Sequence, residues 1–244
     1  MNAGHDPRIR FEACLDESAW VARSVDAMAT ALATALGRDA SARLLLSGGT
    51  TPLPAYRAFA HAALDWSRID VGLVDERDVP PDDAGSNARL VRESLLHARS
   101  AAGQRARFHP LRERTAGTEA AITAANADTA VDPAGAVLVL GMGDDCHVAS
   151  LFPCARDLDH ALRTPRAYAA FDASGCPGAG RWPHRLTLTR AGIDAAAARI
   201  LLLRGARKRA LLERALEPGP RETLPVRCAI DAPGAPLHVV WCRD

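Results

Sequence analysis

Short, uniformly apolar segments alternate with amphipathic segments, and this constrains the fold of the chain more than any other feature. Residues 136–140 read Ala-Val-Leu-Val-Leu, with no polar side chain on either face. A strand that is apolar on both faces needs cover on both, which is typical of parallel strands connected by helices. Residues 18–36, in contrast, carry apolar side chains at helical spacing. The sequence therefore predicts an α/β fold with a mostly parallel sheet and helices on both faces.

The same patterns divide the rest of the chain into predicted elements. The predicted strands cover residues 43–46, 69–74, 136–140, 167–171, 185–189, 199–203 and 237–242. The predicted helices cover residues 18–36, 53–63, 87–97, 117–130 and 206–216. Residues 176–183 are too rich in Gly and Pro for a regular element, and we expect a loop there rather than a domain linker. Residues 1–244 are therefore predicted to form a single domain.

Composition limits the classes of partner. The 244 residues are 48% hydrophobic, enough for a sizeable core, and the formal net charge of +1 creates no overall field that attracts nucleic acid or an anionic membrane. No apolar run approaches the roughly 18–20 residues that span a bilayer, and residues 1–20 contain no apolar signal-peptide core. We therefore expect a cytoplasmic protein that binds neither nucleic acid nor membrane. The sequence leaves its oligomeric state open.

The cysteines are scattered and form no Cys-x-x-Cys pair, so in a reducing compartment we expect all of them to be free. They are Cys14, Cys146, Cys154, Cys176, Cys228 and Cys242. Cys146, His147, Cys154 and His160 lie near one another in the sequence but match no usual zinc spacing. No metal site is predicted.

The chain contains a single lysine, Lys208, among 30 lysines and arginines. Codon bias explains such an imbalance, and so does one site that requires a compact ammonium group instead of a planar guanidinium. Lys208 falls in the first turn of a predicted helix, where the helix dipole disfavours a cation. A role in binding an anion would account for that position.

Three polar motifs follow three predicted strands, at the strand ends where open α/β sheets bind ligands. The first is residues 47–52, Ser-Gly-Gly-Thr-Thr-Pro. Glycines let a backbone approach an anion closely, and the amides there can donate to it. The alternative is a glycine turn with a threonine helix cap. No Gly-Lys-Ser/Thr is present, which excludes a nucleotide P-loop.

The second motif, residues 75–77, places Asp, Glu and Arg directly after a predicted strand. Either this is a solvated loop with an internal ion pair, or a carboxylate orients Arg77 toward a substrate oxygen. Ser86 and Asn87 follow, and they either cap the next helix or fix this loop.

The third motif contains Asp145 and His147, the best acid–base candidates in the chain. A carboxylate beside an imidazole fixes its tautomer and raises its basicity, although a histidine in a loop is often only a polar surface group. Arg185 begins a predicted strand and is either a surface charge or, with Arg77 and Lys208, part of the positive charge that a phosphate needs.

Taken together, the motifs resemble those of the 6-phosphogluconolactonases, in the superfamily that includes the glucosamine-6-phosphate isomerases and deaminases. The resemblance covers about 170 residues in the family's order. The matching segments are LLLSGGTTPLPAY (44–56), DWSRIDVGLVDERDVPPDDAGSNARLVRESLL (65–96), VLVLGMGDDCHVASLFP (137–153), HRLTLTRAGIDAA (184–196) and LLLRGARKRALLERAL (201–216). Residues 149–153, Ala-Ser-Leu-Phe-Pro, match the lactonases, whereas the deaminases carry a stretch similar to Phe-Asn-Glu-Pro there.

The resemblance implies a Rossmann-like α/β fold and hydrolysis of 6-phospho-D-glucono-1,5-lactone to 6-phospho-D-gluconate, a step of the oxidative pentose phosphate pathway. It implies no metal and no organic cofactor. By position, His147 matches the general base, Asp145 its supporting carboxylate and Arg77 the arginine near the lactone. The positions that match the phosphate-binding set are Ser47, Gly48, Gly49, Thr50, Arg185 and Lys208.

Two positions depart from the family pattern, which usually reads Asp-Gly-His-Thr where this chain has Asp145, Cys146, His147 and Val148. If the glycine position requires a positive φ, a cysteine there costs roughly 1–2 kcal/mol. A sugar-phosphate-binding protein with weak or lost catalysis is therefore retained as one alternative. A hexosamine-6-phosphate deaminase or isomerase on the same scaffold is a second.

Overall fold

Parallel strands form the centre of the protein, as the apolar segments predict. The structure is a computed structural model that describes residues 6–97, 102–115 and 117–243. The strands in these ranges are β1 (Ile9–Cys14), β2 (Ala42–Leu46), β3 (Ile69–Leu73), β4 (Asp75–Arg77), β5 (Arg107–Phe108), β6 (Val137–Leu140), β7 (Tyr168–Asp172), β8 (His184–Leu188), β9 (Ala198–Arg204) and β10 (Leu237–Cys242). Seven of them form one sheet in the order β1-β10-β9-β6-β2-β3-β5, and each neighbouring pair runs parallel.

Helices connect these strands. The α-helices in the described ranges are α1 (Glu17–Leu36), α2 (Leu53–Phe59), α3 (Asn87–Val91), α4 (Thr118–Ala127), α5 (Leu158–Arg163), α6 (Arg190–Asp194), α7 (Ala206–Leu216) and α8 (Arg227–Ile230). Asp16 caps α1 by accepting a hydrogen bond from the amide of Ala19 at 2.8 Å. The same helix buries Trp20 completely, and the indole of that residue donates to the carbonyl of Val240 in β10 at 2.9 Å.

The order of the strands decides where a ligand binds. From β2 the chain continues outward through β3 to β5, then returns to the opposite side of β2 with β6 and continues outward through β9 to β10. The direction of winding therefore reverses between β2 and β6. In open α/β sheets, such a reversal opens a crevice at the carboxyl ends of the strands.

A second, smaller sheet lies beside these carboxyl ends, and the sequence did not predict it. Its order is β4-β8-β7, and both pairs are antiparallel. β4 consists of the Asp-Glu-Arg motif itself, so the alternative of a solvated loop is wrong. Because only one residue separates β3 from β4, the chain enters the small sheet directly from the large one.

Most other differences concern element ends. β1 was not predicted, because its sequence Ile-Arg-Phe-Glu-Ala-Cys alternates instead of being apolar throughout. The predicted helix over residues 87–97 is α-helical only as far as Val91 and continues as a π-helix over Arg92–Leu96. Residues 176–183 form the expected loop, with one 3-10 turn. No helix in the described part of the chain is long and apolar enough to cross a membrane.

The expectation that all cysteines are free is wrong for one pair. Cys154 and Cys176 form a disulfide, with their Cα atoms 5.7 Å apart. They lie 22 residues apart in sequence, and only the packing of the 176–183 loop against the segment after β6 brings them together. Their spacing could not reveal this contact. The bond ties that loop to the residues that follow His147.

We predict that reducing this disulfide lowers the free energy of unfolding by about 3 kcal/mol, the entropic value for a loop of this length. Urea unfolding with and without a reductant measures the effect. In the Cys154→Ala variant the reductant should make no difference. Equal stability of oxidised and reduced wild-type protein, or a non-reducing digest without the linked peptide, would contradict the prediction.

Candidate active site

A cavity of about 260 Å³ lies where the winding reverses. The segments after β2, β3, β6 and β9 bound it, and these four strands are neighbours in the sheet. Its lining consists of Ser47, Gly48, Gly49, Thr50, Thr51, Pro52, Asp75, Arg77, Asn87, Gly141, Met142, Gly143, His147, Ala149, Phe152, Gly178, Arg185, Leu202 and Lys208. Eight of the nine predicted site residues are among them. The ninth, Asp145, does not line the cavity, but its carboxylate contacts the imidazole of His147.

The Ser-Gly-Gly-Thr turn after β2 forms one wall. The amide of Ser47 continues the ladder to the carbonyl of Val139 in β6 at 3.0 Å, so the turn begins at the sheet itself. The buried hydroxyl of Tyr56, on α2, donates to the carbonyl of Ser47 at 3.0 Å and thereby holds the start of the turn in place. Gly49 has a φ of 90°, in the left-handed region that favours glycine. The turn therefore presents backbone to the cavity without side chains at its two central positions.

Gly48 is required for a different reason, namely a close approach by Asn87. A Cβ atom at position 48 would lie 1.8 Å from the side-chain oxygen of Asn87. Asn87 is 1% exposed, and its side-chain amide donates to the carbonyl of Asp75 at 2.9 Å. The turn after β2 and the start of α3 are thus packed in direct contact.

Asp145 and His147 meet as the sequence predicts. The Oδ1 atom of Asp145 lies 2.5 Å from Nδ1 of the imidazole and also accepts from the backbone amide of His147 at 3.2 Å. In the neutral ring this contact places the proton on Nδ1 and leaves Nε2 as the basic nitrogen. Burial raises the pKa of the Asp145 carboxyl, but the hydrogen bond and the charge of His147 outweigh it and hold that pKa below its ordinary value.

The imidazole of His147 is held by packing as well as by its carboxylate. The ring of Phe152 lies 4.1 Å from it between centroids, at an interplanar angle of 37°. The backbone at Gly143 approaches so closely that a Cβ there would lie 2.2 Å from the imidazole. Gly178 lies in the loop that the disulfide links to the segment after β6. A Cβ atom added there would lie only 2.9 Å from Oδ2 of Asp145. These contacts leave the ring few alternative orientations.

Cys146 adopts the backbone conformation for which a glycine would be the ordinary choice. Its φ is 64°, which is costly for a residue with a Cβ atom. The carbonyl of Cys146 accepts from the amide of Val226 at 2.9 Å, which ties the turn to the segment before α8. The thiol is buried, and burial, assisted by the charge of Asp145, raises its pKa. It is therefore a packed apolar group and not a reactive thiolate.

Glu76, a buried carboxylate, holds the backbone of Arg77, whereas among the described residues no carboxylate bonds its guanidinium. Glu76 is fully buried and accepts hydrogen bonds from the amides of Arg77, Asn87 and Ala88 and from the hydroxyl of Ser86. The guanidinium of Arg77 donates to the carbonyl of Gly85 at 2.5 Å, and its Nε atom is buried without a partner among the described residues. Arg77 lines the cavity, but this Nε atom has no accessible surface that a ligand could contact.

Arg185 lies deeper in the site than a surface charge would. Its guanidinium donates to the carbonyls of Trp182 at 2.6 Å and Ala179 at 3.0 Å, and lies 3.8 Å from Asp75. Burial lowers the pKa of Arg185, while the charge of Asp75 acts in the opposite direction. Asp75 also accepts from the hydroxyl of Ser150 at 2.6 Å. This buried carboxylate holds both Arg185 and Asn87 in place.

Lys208 reaches the cavity from the first turn of α7. Its ammonium donates to the carbonyl of Met142 at 2.7 Å. The cavity is thus lined by three cationic groups, Arg77, Arg185 and Lys208, and one carboxylate, that of Asp75. Within the described ranges, no three or more His, Cys, Asp or Glu residues are grouped so as to hold a metal ion.

Eleven of the lining residues were not among the predicted ones, and three of these have side chains that contact other residues of the site. Asp75 was considered only as a partner of Arg77, Asn87 only as a helix cap or loop support, and Phe152 only as part of the lactonase-like stretch. Of these three, only Asn87 lies on an element that the sequence located, since Asp75 begins the unpredicted strand β4 and Phe152 lies in the segment after β6. What the sequence could not give is the direction of the side chain, which depends on the antiparallel pairing of β4 with β8 and on the packing of α3 against the turn after β2.

Comparison with known proteins decides the family. Residues 15–241 match a family model described as "Glucosamine-6-phosphate isomerases/6-phosphogluconolactonase". A 6-phosphogluconolactonase of Xylella fastidiosa is 45% identical over 242 residues, 99% of this chain and 98% of that protein. The chain belongs to the glucosamine-6-phosphate isomerase/6-phosphogluconolactonase family.

Other members of the family agree in sequence and in fold. A 6-phosphogluconolactonase of Pseudomonas aeruginosa is 41% identical over 212 residues, covering 86% of this chain and 85% of that protein. The crystal structure of a 6-phosphogluconolactonase from Shewanella baltica superposes with a TM-score of 0.83 at 31% identity, covering 95% of this chain and 97% of that one. The expected α/β fold is thereby confirmed.

We predict that replacing Cys146 by glycine leaves the free energy of unfolding within about 1 kcal/mol of wild type, because relief of the positive φ offsets the lost burial. The matched control is Cys228→Gly, a buried cysteine in α8 without that strain, which should cost about 2 kcal/mol or more. Urea unfolding of both variants measures the difference. Equal losses in the two would show that the turn at position 146 is not strained.

Proposed function

We propose that the protein hydrolyses 6-phospho-D-glucono-1,5-lactone to 6-phospho-D-gluconate, with His147 as the base that activates water. The observation that carries the proposal is the carboxylate–imidazole pair at one side of a cavity lined by three cationic side chains. Attack of water on an ester carbonyl requires a general base, and binding of a phosphate group requires positively charged side chains. Family membership and 45% identity to a 6-phosphogluconolactonase support the same substrate.

The phosphate binds, in this proposal, at the turn of residues 47–50 together with Lys208 and Arg185. The backbone amides of Gly48, Gly49 and Thr50 lie outside the helices and strands and donate to none of the described residues. An oxyanion would satisfy them. Because α2 begins only at Leu53, the donors belong to the turn itself. Lys208 follows β9, which is separated from β2 by β6, and reaches the same cavity from that strand end.

Bound in this way, the lactone ring extends from the phosphate toward His147. The neutral imidazole removes a proton from water at Nε2 as the water attacks the lactone carbonyl, and Asp145 stabilises the imidazolium that forms. Since the pKa of Asp145 lies below its ordinary value, this carboxylate remains ionised throughout the neutral range. Phe152 and Gly143 hold the ring in the orientation that the attack requires.

Collapse of the tetrahedral intermediate requires two further contributions. Negative charge develops on the carbonyl oxygen, and the guanidinium of Arg77, which lines the cavity, is the cationic group that offsets it. The departing ring oxygen needs a proton, which His147 returns from Nε2. Every proton taken from water is thereby accounted for, and no metal or organic cofactor enters the reaction.

The alternatives have less support. A deaminase would release ammonia from glucosamine 6-phosphate, and the closely similar relatives compared above are lactonases. A binding protein without catalysis would not require a carboxylate 2.5 Å from an imidazole in the cavity. An assay of both substrates separates the three: we expect acid release from the lactone and no ammonia from the amino sugar.

Three broader expectations belong to the same proposal. The chain acts as one domain, because a single buried cluster contains residues of both sheets, such as Leu44 and Leu186. It acts in the cytoplasm, as expected of a relative of metabolic enzymes, and the Cys154–Cys176 disulfide is then exposed to a reducing compartment. It does not bind nucleic acid, since a net charge of +1 provides no attraction to a polyanion.

We predict that His147→Ala lowers kcat for lactone hydrolysis by about 10²- to 10⁴-fold. The lactone is generated in situ from glucose 6-phosphate, and acid release is compared with the uncatalysed rate. The control is His61→Ala, an exposed histidine outside the cavity, which should keep wild-type turnover. Unchanged turnover in His147→Ala would rule out its role as the base.

Substitution of the single lysine tests the phosphate site. Lys208→Ala should raise KM about tenfold or more while kcat changes little, because a contact to the phosphate is made equally in the ground and transition states. Lys208→Arg keeps the charge and should recover only part of the loss, since a planar guanidinium cannot take the place of the ammonium beside Met142. A wild-type KM in Lys208→Ala would exclude this site for the phosphate.

A further inference from the structure

The guanidinium of Arg77 lines the cavity without a carboxylate to orient it. Among the described residues, its side-chain nitrogens donate one hydrogen bond, from Nη1 to the carbonyl of Gly85 at 2.5 Å. Arg185, its cross-strand partner in the small sheet, lies 3.8 Å from the carboxylate of Asp75. Holding a long side chain in one place costs rotamer entropy, and a single hydrogen bond is a weak restraint against that cost.

The indole of Trp182 supplies a second contact. The Cζ atom of Arg77 lies 5.5 Å from the centroid of the indole ring, within the range of a cation–π interaction. The same ring packs against the backbone of Gly85, where an added Cβ atom would lie 2.3 Å from an indole carbon. Trp182 thus contacts both the guanidinium and the residue whose carbonyl accepts from it.

Trp182 is itself held in place by the loop of residues 176–183. Its carbonyl accepts from Nε of Arg185 at 2.6 Å, and the carbonyl of Pro183 accepts from the amide of Ala173 at 3.0 Å. The disulfide ties the first residue of the loop to the segment after β6. The indole therefore projects from a restrained backbone.

An aromatic face holds a guanidinium in a way that leaves it able to bind an oxygen. A carboxylate neutralises the cation and occupies its N–H groups, often two at a time. The quadrupole of an indole, in contrast, attracts the cation without cancelling its charge and without occupying its N–H groups. A guanidinium held against a ring therefore keeps its charge for an oxygen of the ligand.

We propose that Trp182 is a positioning residue for Arg77, whose guanidinium it orients toward the cavity while leaving the charge intact. This rests on the proposed function for the role of Arg77 at the lactone carbonyl. Trp182 does not line the cavity, so its side chain acts on the reaction through Arg77. Its contact to Arg185 is made by the backbone carbonyl, which every substitution of the side chain retains.

Trp182→Leu and Trp182→Phe test the proposal in the lactone assay. Leucine keeps apolar volume against Gly85 but has no π face, whereas phenylalanine keeps one. We expect Trp182→Leu to lower kcat about tenfold and to leave KM within about twofold, because Arg77 offsets charge that develops only in the transition state. Trp182→Phe should keep kcat within about threefold of wild type.

Two comparisons show whether the loss passes through Arg77. Arg181 also lies over the indole, with its Cζ atom 4.3 Å from the ring centroid, but it is exposed and outside the cavity. Arg181→Ala should therefore keep kcat within about twofold of wild type. In an Arg77→Ala background, Trp182→Leu should change kcat by less than about twofold, because the group that it positions is gone.

A measurement without turnover follows the guanidinium itself. The Nε atom of Arg77 is buried, so its proton exchanges with water only when the side chain leaves its place. Nitrogen-15 NMR identifies this signal as the one that Arg77→Lys removes. We expect its exchange to be about tenfold faster in Trp182→Leu than in wild type, and within about threefold of wild type in Trp182→Phe.

Four results would overturn the proposal: wild-type kcat or wild-type exchange in Trp182→Leu, equal losses in the leucine and phenylalanine variants, an equal loss in Arg181→Ala, and a leucine loss that is as large in the Arg77→Ala background as in wild type. Absence of lactone hydrolysis by wild-type protein would instead refute the proposed function. In that event the exchange of the Arg77 Nε proton still decides whether Trp182 positions the guanidinium.

Discussion

Parallel pairing of β2 with β6 on one side and with β3 on the other is the constraint on which the site depends. Leu46 lies in register with both Val139 and Leu73, so the strands end at the same level. The turn after β2, the Asp145–His147 pair after β6 and the Asp75–Arg77 strand after β3 therefore meet at one edge. β9 extends the same edge on the other side of β6 and delivers Lys208. No single loop carries the chemistry, because neighbouring strands each contribute a part of it.

Close backbone approach is the second constraint, and it explains why glycines accumulate at this edge. Gly48 leaves room for Asn87, while Gly143 and Gly178 leave room for the imidazole and its carboxylate. A cavity built in this way holds its side chains in fixed directions, which is the condition for preorganised catalysis. Cys146 departs from the pattern by taking a positive φ with a side chain. The buried thiol and the hydrogen bond from Val226 compensate for that strain, so the turn that carries His147 keeps its geometry.

The sequence predicted the parallel sheet and the positions of its apolar strands because these depend on local patterns, while the roles of most predicted site residues were implied by the family resemblance. Residues 136–140 are recognisable as a buried strand from their composition alone, and Asp145 and His147 from their spacing. Long-range pairing was not predictable. The antiparallel sheet of β4, β8 and β7, the disulfide between Cys154 and Cys176, and the orientation of Asn87 all arise where distant segments meet. The alternating β1 went unpredicted because its pattern differs from that of the fully apolar strands.

In the proposed mechanism, the phosphate binds on the β2 side with Lys208, and the reacting carbon then lies beside His147. A crystal structure with 1,5-anhydroglucitol 6-phosphate tests this directly. We predict phosphate oxygens within hydrogen-bond distance of the amides of residues 48–50 and of the Lys208 ammonium, with C1 of the ring facing Nε2 of His147. A phosphate bound elsewhere, or a ring with C1 turned away from His147, would contradict the account.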